Sequence, residues 1–415
     1  MISRNGGYSF KLNKRAPLET AGLVVLGVNR PESISLHSSF SWNTVRFCEL
    51  WKHQSPEQPP LMETSPKTPI GMWFSPAVIA ENNFIYKSLS NWAFNVAVGC
   101  SHACRFCYVP SSTTIKQGPK LAEYGVKDPD LEWGNYVLLR PWIEERFLAS
   151  LRVAENTPHS KLKRDGNRAV MYCSTTDPYQ VIHHPEPESQ KMLSQHSRYL
   201  VRRSLELIRD KSSLNVRILT RSPLARADFD LFKSFGPRLL FGMSLPTLQN
   251  DLSKIYEPRA PAPTQRLAAL GTARDAGLNV YVAMAPTYPE CDEEDLRATL
   301  RAVAEVAPVT IFHEPINIRA ENVERIAAQA RSLGIRLKTE VFSTREQWEN
   351  YAVHSLQTVD RLAEELGLSH KLHLWPDKSL GNSSIANRMT KPREYLQWLM
   401  KYWGRISEWP QIGRP

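Results

Sequence analysis

Cysteine is scarce in this chain, and long apolar runs are absent. Only 6 of the 415 residues are cysteine, and they lack the even, distributed spacing of a secreted disulfide framework. No apolar run approaches the roughly 20 residues that span a bilayer, and no apolar segment with a cleavage site follows the basic N-terminal stretch. These absences argue against a disulfide-scaffolded secreted protein and a membrane protein. We expect a soluble cytoplasmic protein without a membrane partner.

The charge balance is basic. The chain has 52 Lys and Arg against 42 Asp and Glu, which gives a formal net charge of +10 and a pI near 9.3. A positive balance permits attraction to nucleic acid or other anions. Because the basic residues are dispersed along the chain, an ordinary solvated surface is the alternative.

Composition divides the chain into three parts. Residues 1–75 are rich in Ser, Pro and Asn, and we expect a poorly ordered arm and linker there. Residues 76–345 are expected to form an α/β barrel, and residues 346–415 a helical extension. Two helices are predicted around and within this extension, over 343–367 and 392–409.

Strand-like and helix-like segments alternate at least six times between Asn91 and Phe342. Continuous apolar strands joined by helices indicate a parallel sheet covered by helices. Six such units favour a full or partial (β/α)6 TIM-type barrel, with a doubly wound open sheet as the competing layout. The predicted strands cover residues 91–98, 168–175, 215–222, 238–247, 279–288 and 308–316, with 335–342 as a further strand or extended link and 371–384 as a loop.

Cys100, Cys104 and Cys107 lie within eight residues, spaced C-x3-C-x2-C, directly after the first predicted strand. Four interpretations compete: a zinc site, a disulfide with an odd thiol, buried structural thiols and an iron–sulfur cluster. Zinc usually takes four ligands, often as two pairs, and no second C-x2-C pair is present. Three thiolates would leave one iron of a cubane cluster open, and an open metal position suits catalysis. The spacing by itself leaves zinc and iron–sulfur open.

The segment GCSHACRFCY resembles the C-x3-C-x-φ-C motif of the radical S-adenosylmethionine (SAM) superfamily, where φ is aromatic and is Phe106 here. This resemblance implies a partial (β/α)6 barrel of the radical SAM kind. Further segments are similar to motifs of the spore photoproduct lyase-like (DNA repair photolyase-like) branch: NVAVGCSHACRFCY (95–108), CSTTDPYQ (173–180), LTRSPLARADFDLF (219–232), EPRAPAPTQRLAAL (257–270) and AMAPTYPECDEEDL (283–296).

The resemblance implies an enzyme with two cofactors. Cys100, Cys104 and Cys107 would bind three irons of a 4Fe–4S cluster, and the fourth iron would bind SAM. Reductive cleavage of SAM would give a 5′-deoxyadenosyl radical that takes hydrogen from an unidentified substrate, with nucleic acid as a candidate and flavodoxin or ferredoxin as the reductant. The alternative is a zinc-containing nucleic-acid-binding protein with structural cysteines.

Seven residues receive cofactor-binding roles from the resemblance. Phe106 is expected to pack near the adenine of SAM. Arg221 stands where the branch usually has a lysine that faces the SAM carboxylate, and arginine keeps the charge. The other five are polar residues at or near strand ends: Thr175, Thr176, Asp177, Ser244 and Glu314. The alternative role for Asp177 is to cap a turn. The alternative role for Ser244 is a hydrogen bond to the backbone.

Tyr108 and Cys173 are the candidate catalytic residues. In the lyases, a tyrosine directly after the last cysteine is linked to hydrogen-atom relay, and a cysteine near the end of the second strand donates a hydrogen atom. Cys173 precedes the matching position by one residue, and Ser174 occupies it; a one-residue slip reverses the direction of a strand side chain. This departure argues against thymine-dimer repair. Glu257 and Arg259 are expected to form an ion pair that fixes their loop.

Overall fold

Short apolar runs form the strands of the protein. The computed structural model describes residues 67–82 and 89–410. Within these residues the strands are β1 (Ile70–Met72), β2 (Ile79–Glu81), β3 (Trp92–Phe94), β4 (Ala97–Gly99), β5 (Val137–Leu139), β6 (Ala169–Tyr172), β7 (Asn215–Thr220), β8 (Leu239–Ser244), β9 (Val280–Thr287), β10 (Thr310–Pro315) and β11 (Leu372–Leu374).

The main sheet has the order β2–β3–β6–β7–β8–β9–β10–β11. All neighbours are parallel except β2 and β3, which are antiparallel. The six strands from β3 to β10 follow one another in chain order without the reversal that defines a doubly wound sheet. The predicted partial (β/α)6 barrel is therefore confirmed, and β11 adds a parallel strand at its edge.

Helices cover the outside of this sheet. In the described residues they are α1 (Gly118–Ala122), α2 (Glu144–Glu155), α3 (Pro187–Lys211), α4 (Phe229–Lys233), α5 (Asn250–Tyr256), α6 (Pro263–Asp275), α7 (Glu293–Glu305), α8 (Asn322–Leu333), α9 (Arg345–Glu365), α10 (Ser383–Ala386) and α11 (Pro392–Gly404). None of these described helices is long and apolar enough to cross a membrane.

Local signals explain where several helices begin and end. The Asp292 side chain accepts the Asp295 amide at the start of α7, and Thr344 caps α9 by accepting the amide of Gln347. Helix α8 ends at Leu333 and is followed by Gly334, whose φ of 64° is a left-handed conformation that favours glycine.

The predicted first strand, residues 91–98, is two strands in two sheets. β3 pairs with β6 in the main sheet, whereas β4 pairs with β5 in a smaller sheet of order β1–β5–β4. The break falls at Asn95, whose side-chain oxygen accepts the amide of Thr175 at 3.0 Å. Because β4 ends at Gly99, the small sheet delivers the chain directly to the cysteines.

The main sheet also corrects the prediction for the C-terminal part. Residues 335–342 form no strand but a short 3-10 helix at Thr339–Phe342, and the predicted loop 371–384 contains β11. The edge of β10 is taken by β11, with Ile311 opposite Leu372, so the alternating pattern of 335–342 has no strand to pair with there. The helix predicted over 392–409 ends at Gly404.

The predicted poorly ordered arm, residues 1–75, lies mostly outside the described residues, where it stays a prediction. Its last part is wrong, because Ile70–Met72 forms β1 and pairs in parallel with β5. The ordered chain therefore begins before residue 76.

Side chains fill the lumen of the barrel. Arg217 of β7 is fully buried, and its guanidinium lies 5.1 Å from the ring centroid of Tyr281 and 5.3 Å from that of Trp409. The Trp409 indole donates to the carbonyl of Pro237 at 2.8 Å, just before β8 begins. The C-terminal segment thus closes the barrel at the amino ends of its strands.

Gly242 is required by this packing. A Cβ at Gly242 would lie 2.4 Å from the Tyr281 ring, whereas one at Gly271 in α6 would have no neighbour within 4 Å. We expect Gly242→Ala to lower the free energy of unfolding by about 1–3 kcal/mol through overpacking. The matched Gly271→Ala change should raise it by about 0.8–1 kcal/mol, since alanine favours a helix over glycine. Denaturant unfolding followed by circular dichroism measures both; equal midpoints would contradict this account.

Candidate active site at the cysteine loop

The three cysteines lie on one loop, residues 100–108, which we call the cysteine loop. It starts at Gly99, whose φ is +89°, and a Cβ there would lie 2.1 Å from the carbonyl oxygen of Tyr136. Only glycine allows the chain to pass this strand and turn. The loop follows β3 and β4 in the chain and so lies beyond the carboxyl end of β3, the first barrel strand, where barrels place their chemistry.

The thiols are neighbours. Cys100 and Cys104 are buried and Cys107 is half-buried, and burial raises the pKa of all three. For Cys104 the pKa rises to about 12, against the opposing influence of the Arg221 guanidinium. Cys104 and Cys107 in turn add to the raised pKa of Cys100, so the groups interact electrostatically.

This donor set suits an iron–sulfur cluster. Cysteine thiolates are the natural ligands of such clusters, and here three come from one loop with guanidinium groups nearby to offset their charge. In the part of the chain that the structure describes, no three His, Cys, Asp or Glu side chains converge on a single metal ion. The residue types and their shared loop nevertheless suit a cluster, in which each thiolate would bind its own iron.

The TTDPYQ segment after β6 holds the cysteine loop in place. The Thr176 hydroxyl donates to the carbonyl of Gly99 at 2.6 Å and accepts from the side-chain Nε2 of Gln180 at 2.7 Å. Gln180 in turn accepts the backbone amide of Ser101 at 2.6 Å. Thr176 therefore supports the loop with both its donor and its acceptor, and Gln180 is a site residue that the sequence prediction missed although it lies in the quoted motif.

The buried Asp177 side chain connects separate segments of the site. Its carboxylate accepts the amide of Tyr179 at 2.9 Å, the hydroxyl of Thr220 at 2.7 Å and the amide of Arg221 at 2.8 Å. The His102 ring lies 3.5 Å away; burial lowers the pKa of His102, and Asp177 opposes that shift. Asp177 thus joins the ends of β6 and β7 to the cysteine loop, which goes beyond the turn-capping alternative.

Arg221 is held in position by Glu257. Its Nε donates to the Glu257 carboxylate at 2.6 Å, and its guanidinium carbon lies 5.6 Å from the ring centroid of Phe106. Glu257 also forms a buried ion pair with Arg266. Burial would raise the pKa of Glu257, but Arg266 and Arg221 together lower it to about 2.

The predicted Glu257–Arg259 ion pair is wrong. Arg259 instead donates to the carbonyl of Gly134 at 2.6 Å, and its backbone amide donates to the carbonyl of His102 at 3.3 Å. The reason is that Glu257 already has two nearer guanidinium partners. Arg259 therefore supports the cysteine loop directly.

Aromatic rings line one side of the cysteine loop. Phe106 is buried, and its ring centroid lies 5.8 Å from that of Tyr288, which stacks on Tyr256 at 4.1 Å. The backbone carbonyl of Tyr256 also accepts the amide of Arg105 at 2.8 Å. Both tyrosines were missed by the sequence prediction, although Tyr256 directly precedes the EPR segment.

The two candidate catalytic residues differ in exposure. Tyr108 is 37% exposed, and its hydroxyl donates to the carbonyl of Ser174 at 3.0 Å. Desolvation of the phenol raises the pKa of Tyr108, and Cys107 and Glu314 add to the rise. Cys173 is 7% exposed with a left-handed φ of 58°, and burial raises the pKa of its thiol.

The remaining predicted residues differ in their surroundings. The buried Ser244 hydroxyl donates to the carbonyl of Ala285 at 3.0 Å, as its backbone alternative anticipated. Thr175 is half-buried, and its amide donates to Asn95. Glu314 is half-buried on β10. It is the residue before the last in that strand, so it lies at the carboxyl ends of the barrel strands.

Comparison with known protein families finds one whose model covers the residues of this site. A family model described as the radical SAM superfamily matches residues 94–303, from the end of β3 to within α7. The chain belongs to the radical SAM superfamily. The matched stretch includes the cysteine loop, the TTDPYQ segment and Glu257.

Relatives of this radical SAM chain include two uncharacterized proteins. One, from Acidianus two-tailed virus, is 32% identical over 65% of this chain and 78% of its own length. The other, from Methanocaldococcus jannaschii, is 26% identical over 56% of this chain and 72% of its own length.

The solved structures give the fold of this radical SAM protein. A spore photoproduct lyase variant with bound AdoMet and dinucleoside spore photoproduct matches at a TM-score of 0.50 and 14% identity. The match covers 74% of this chain and 80% of the lyase chain. The two proteins share a fold.

Removal of the Glu257 charge should destabilise the protein. Glu257→Gln leaves Arg221 and Arg266 without their buried counter-charge, and we expect the free energy of unfolding to fall by about 3–5 kcal/mol. The matched control is Glu293→Gln, which removes a carboxylate from exposed ion pairs with Arg297 and Arg361 and should leave stability unchanged. Urea unfolding at neutral pH measures both.

The effect of Glu257 should also depend on pH. Its folded pKa of about 2 lies below its ordinary value of 4.5, so its stabilisation is complete above about pH 5 and is lost as the pH falls through 2. The difference between wild type and Glu257→Gln should therefore be constant above pH 5 and shrink in acid. A difference that grows in acid would contradict the ion-pair account.

Proposed function

We propose that this protein is a radical SAM enzyme of the spore photoproduct lyase-like branch that binds a 4Fe–4S cluster through Cys100, Cys104 and Cys107. The observation that carries the proposal is the set of three neighbouring thiols on one loop at the carboxyl end of the barrel. When bound, the cluster and SAM supply a 5′-deoxyadenosyl radical that abstracts hydrogen from a substrate.

The chain's own residues then bind and orient SAM. Arg221 presents a positive charge beside the cysteine loop, and Glu257 fixes its direction, which suits the SAM carboxylate. Phe106 lies under that guanidinium and provides an apolar face for adenine. Buried Phe106 and Tyr288 also keep water away from this side of the site.

The polar residues at the strand ends divide into two groups in this proposal. Thr175 and Glu314 are candidates for direct contact with SAM or substrate, since both are half-buried near the mouth. Thr176, Asp177 and Ser244 are bonded within the protein and shape the site instead.

Tyr108 is the better supported candidate for hydrogen-atom relay. It lies at the end of the cysteine loop, is partly exposed, and bonds the carbonyl of Ser174, the residue at the lyase cysteine position. Cys173 stays the second candidate, and its thiol is buried.

We propose nucleic acid as the substrate class, and flavodoxin or ferredoxin as the electron donor. Two observations support it: the formal net charge of +10, and the fold shared with a lyase solved with dinucleoside spore photoproduct. A peptide or small molecule is the competing class.

Anaerobic reconstitution with iron and sulfide tests the proposed enzyme. We expect about four irons per chain, broad visible absorption, and 5′-deoxyadenosine formation from SAM with dithionite. Cys104→Ser should lose these properties, whereas Cys291→Ser, which removes a thiol outside the cysteine loop, should retain them. Zinc without iron in the wild-type protein would overturn the proposal in favour of a zinc-containing nucleic-acid-binding protein.

Binding of a fluorescent single-stranded oligonucleotide tests the substrate class. If phosphate contacts guide binding, affinity should fall by about tenfold or more between 50 and 200 mM salt. Polyphosphate of equal charge is the control, since it has phosphates without bases. Equal affinity for both polymers would show charge attraction alone and remove nucleic acid as the proposed substrate.

A further inference from the structure

The first turn of helix α8 packs against the cysteine loop. Asn322 is fully buried, and its side-chain amide donates to the carbonyls of Phe106 at 3.3 Å and Asn317 at 2.8 Å. Three residues later, Arg325 is only 4% exposed. Such burial of an arginine needs partners for its donors and its charge.

The guanidinium of Arg325 reaches the loop on both sides of Phe106. Its Nε donates to the carbonyl of Arg105 at 3.1 Å, and one Nη donates to the carbonyl of Cys107 at 2.5 Å. The other Nη donates to the carbonyl of Asp130 at 3.2 Å. The three successive carbonyls of residues 105–107 thus all accept donors from α8.

This part of the loop needs such donors. Ala103 has a left-handed φ of 55°, and residues 105–107 lie in neither a helix nor a strand, so their carbonyls have no regular partner. A buried carbonyl without a donor is costly, which makes the side chains of α8 a condition of the loop's shape.

The charge of Arg325 is balanced within the protein. The Asp130 carboxylate, which is 5% exposed, forms an ion pair with it, and the same carboxylate accepts the amide of Glu321 at 3.2 Å. A lysine at 325 would keep the charge beside Asp130 but not the planar fork that reaches three carbonyls.

We propose that Arg325, supported by Asn322, is a positioning residue of the cysteine loop that sets the separation of Cys104 and Cys107. That this separation serves a 4Fe–4S cluster rests on the proposed function; that α8 holds the loop does not. Arg325 acts through backbone carbonyls and touches no reacting atom.

Thiol alkylation of the metal-free protein tests the loop itself. Iodoacetamide labelling followed by peptide mass spectrometry should show Cys104 and Cys107 reacting about tenfold faster in Arg325→Gln than in wild type, because the loop opens locally. Cys291 should react at the wild-type rate. The matched control is Arg331→Gln on the same helix, where an exposed arginine pairs with Glu324.

Reconstitution of the same variants tests the link to the cluster. Arg325→Gln should bind at least about twofold less iron than wild type, and the electron paramagnetic resonance signal of its remaining reduced cluster should be shifted or broadened. Arg325→Lys should lie between the two, and it replaces Arg325→Gln if that variant fails to fold. Arg331→Gln should match wild type in iron content and signal.

The outcomes separate the two proposals. The positioning role would be overturned if Arg325→Gln and Arg325→Lys matched wild type in alkylation rates, iron content and paramagnetic resonance signal. Equal acceleration at Cys104, Cys107 and Cys291 would also overturn it, since it reports general unfolding. A third outcome is that wild type binds no iron while Arg325→Gln still shows faster alkylation at Cys104 and Cys107 alone. This result would refute the proposed function and support the role of α8 in positioning the loop.

Discussion

The buried carboxylate of Glu257 between two guanidinium groups organises the candidate site. It directs Arg221 toward Phe106 and holds Arg266, whose other nitrogens donate to the carbonyls of Ser244 and Pro261. Both arginines lower the pKa of this buried carboxylate, and its removal would leave two guanidinium groups without their counter-charge. The ends of β7 and β8 and the loop after α5 therefore meet at one electrostatic centre.

The segment around Glu257 also fixes the cysteine loop. The carbonyl of Tyr256 and the amide of Arg259 bond the backbone of Arg105 and His102. On the opposite side, Gln180 and Asp177 contact the start of the loop. The motifs that carry the family resemblance lie far apart in the sequence, but in the fold they contact the cysteine loop from different sides. This shared contact explains why they occur together in one chain.

The sequence allowed the barrel to be predicted because short apolar strand segments alternate regularly with segments of helical periodicity. It did not show β11, since Leu372–Leu374 is only three residues long and gains its strand conformation from pairing with β10. The position of the cysteines was predictable from spacing and motif. For Thr176, Asp177 and Ser244 the sequence could not decide between ligand contact and hydrogen bonds within the protein, because a polar residue at a strand end has the same sequence signal in both cases. Arg325 was missed because its contacts join residues more than 200 positions apart.

The packing of the Arg217 guanidinium against aromatic rings closes the barrel at the amino ends of its strands. Among the residues that the structure describes, Tyr281, Phe312 and the indole of Trp409 surround this buried side chain and fill the barrel at that level. Under the proposed function, a substrate would therefore reach the cysteine loop from the carboxyl ends of the strands, away from the end that Arg217 fills.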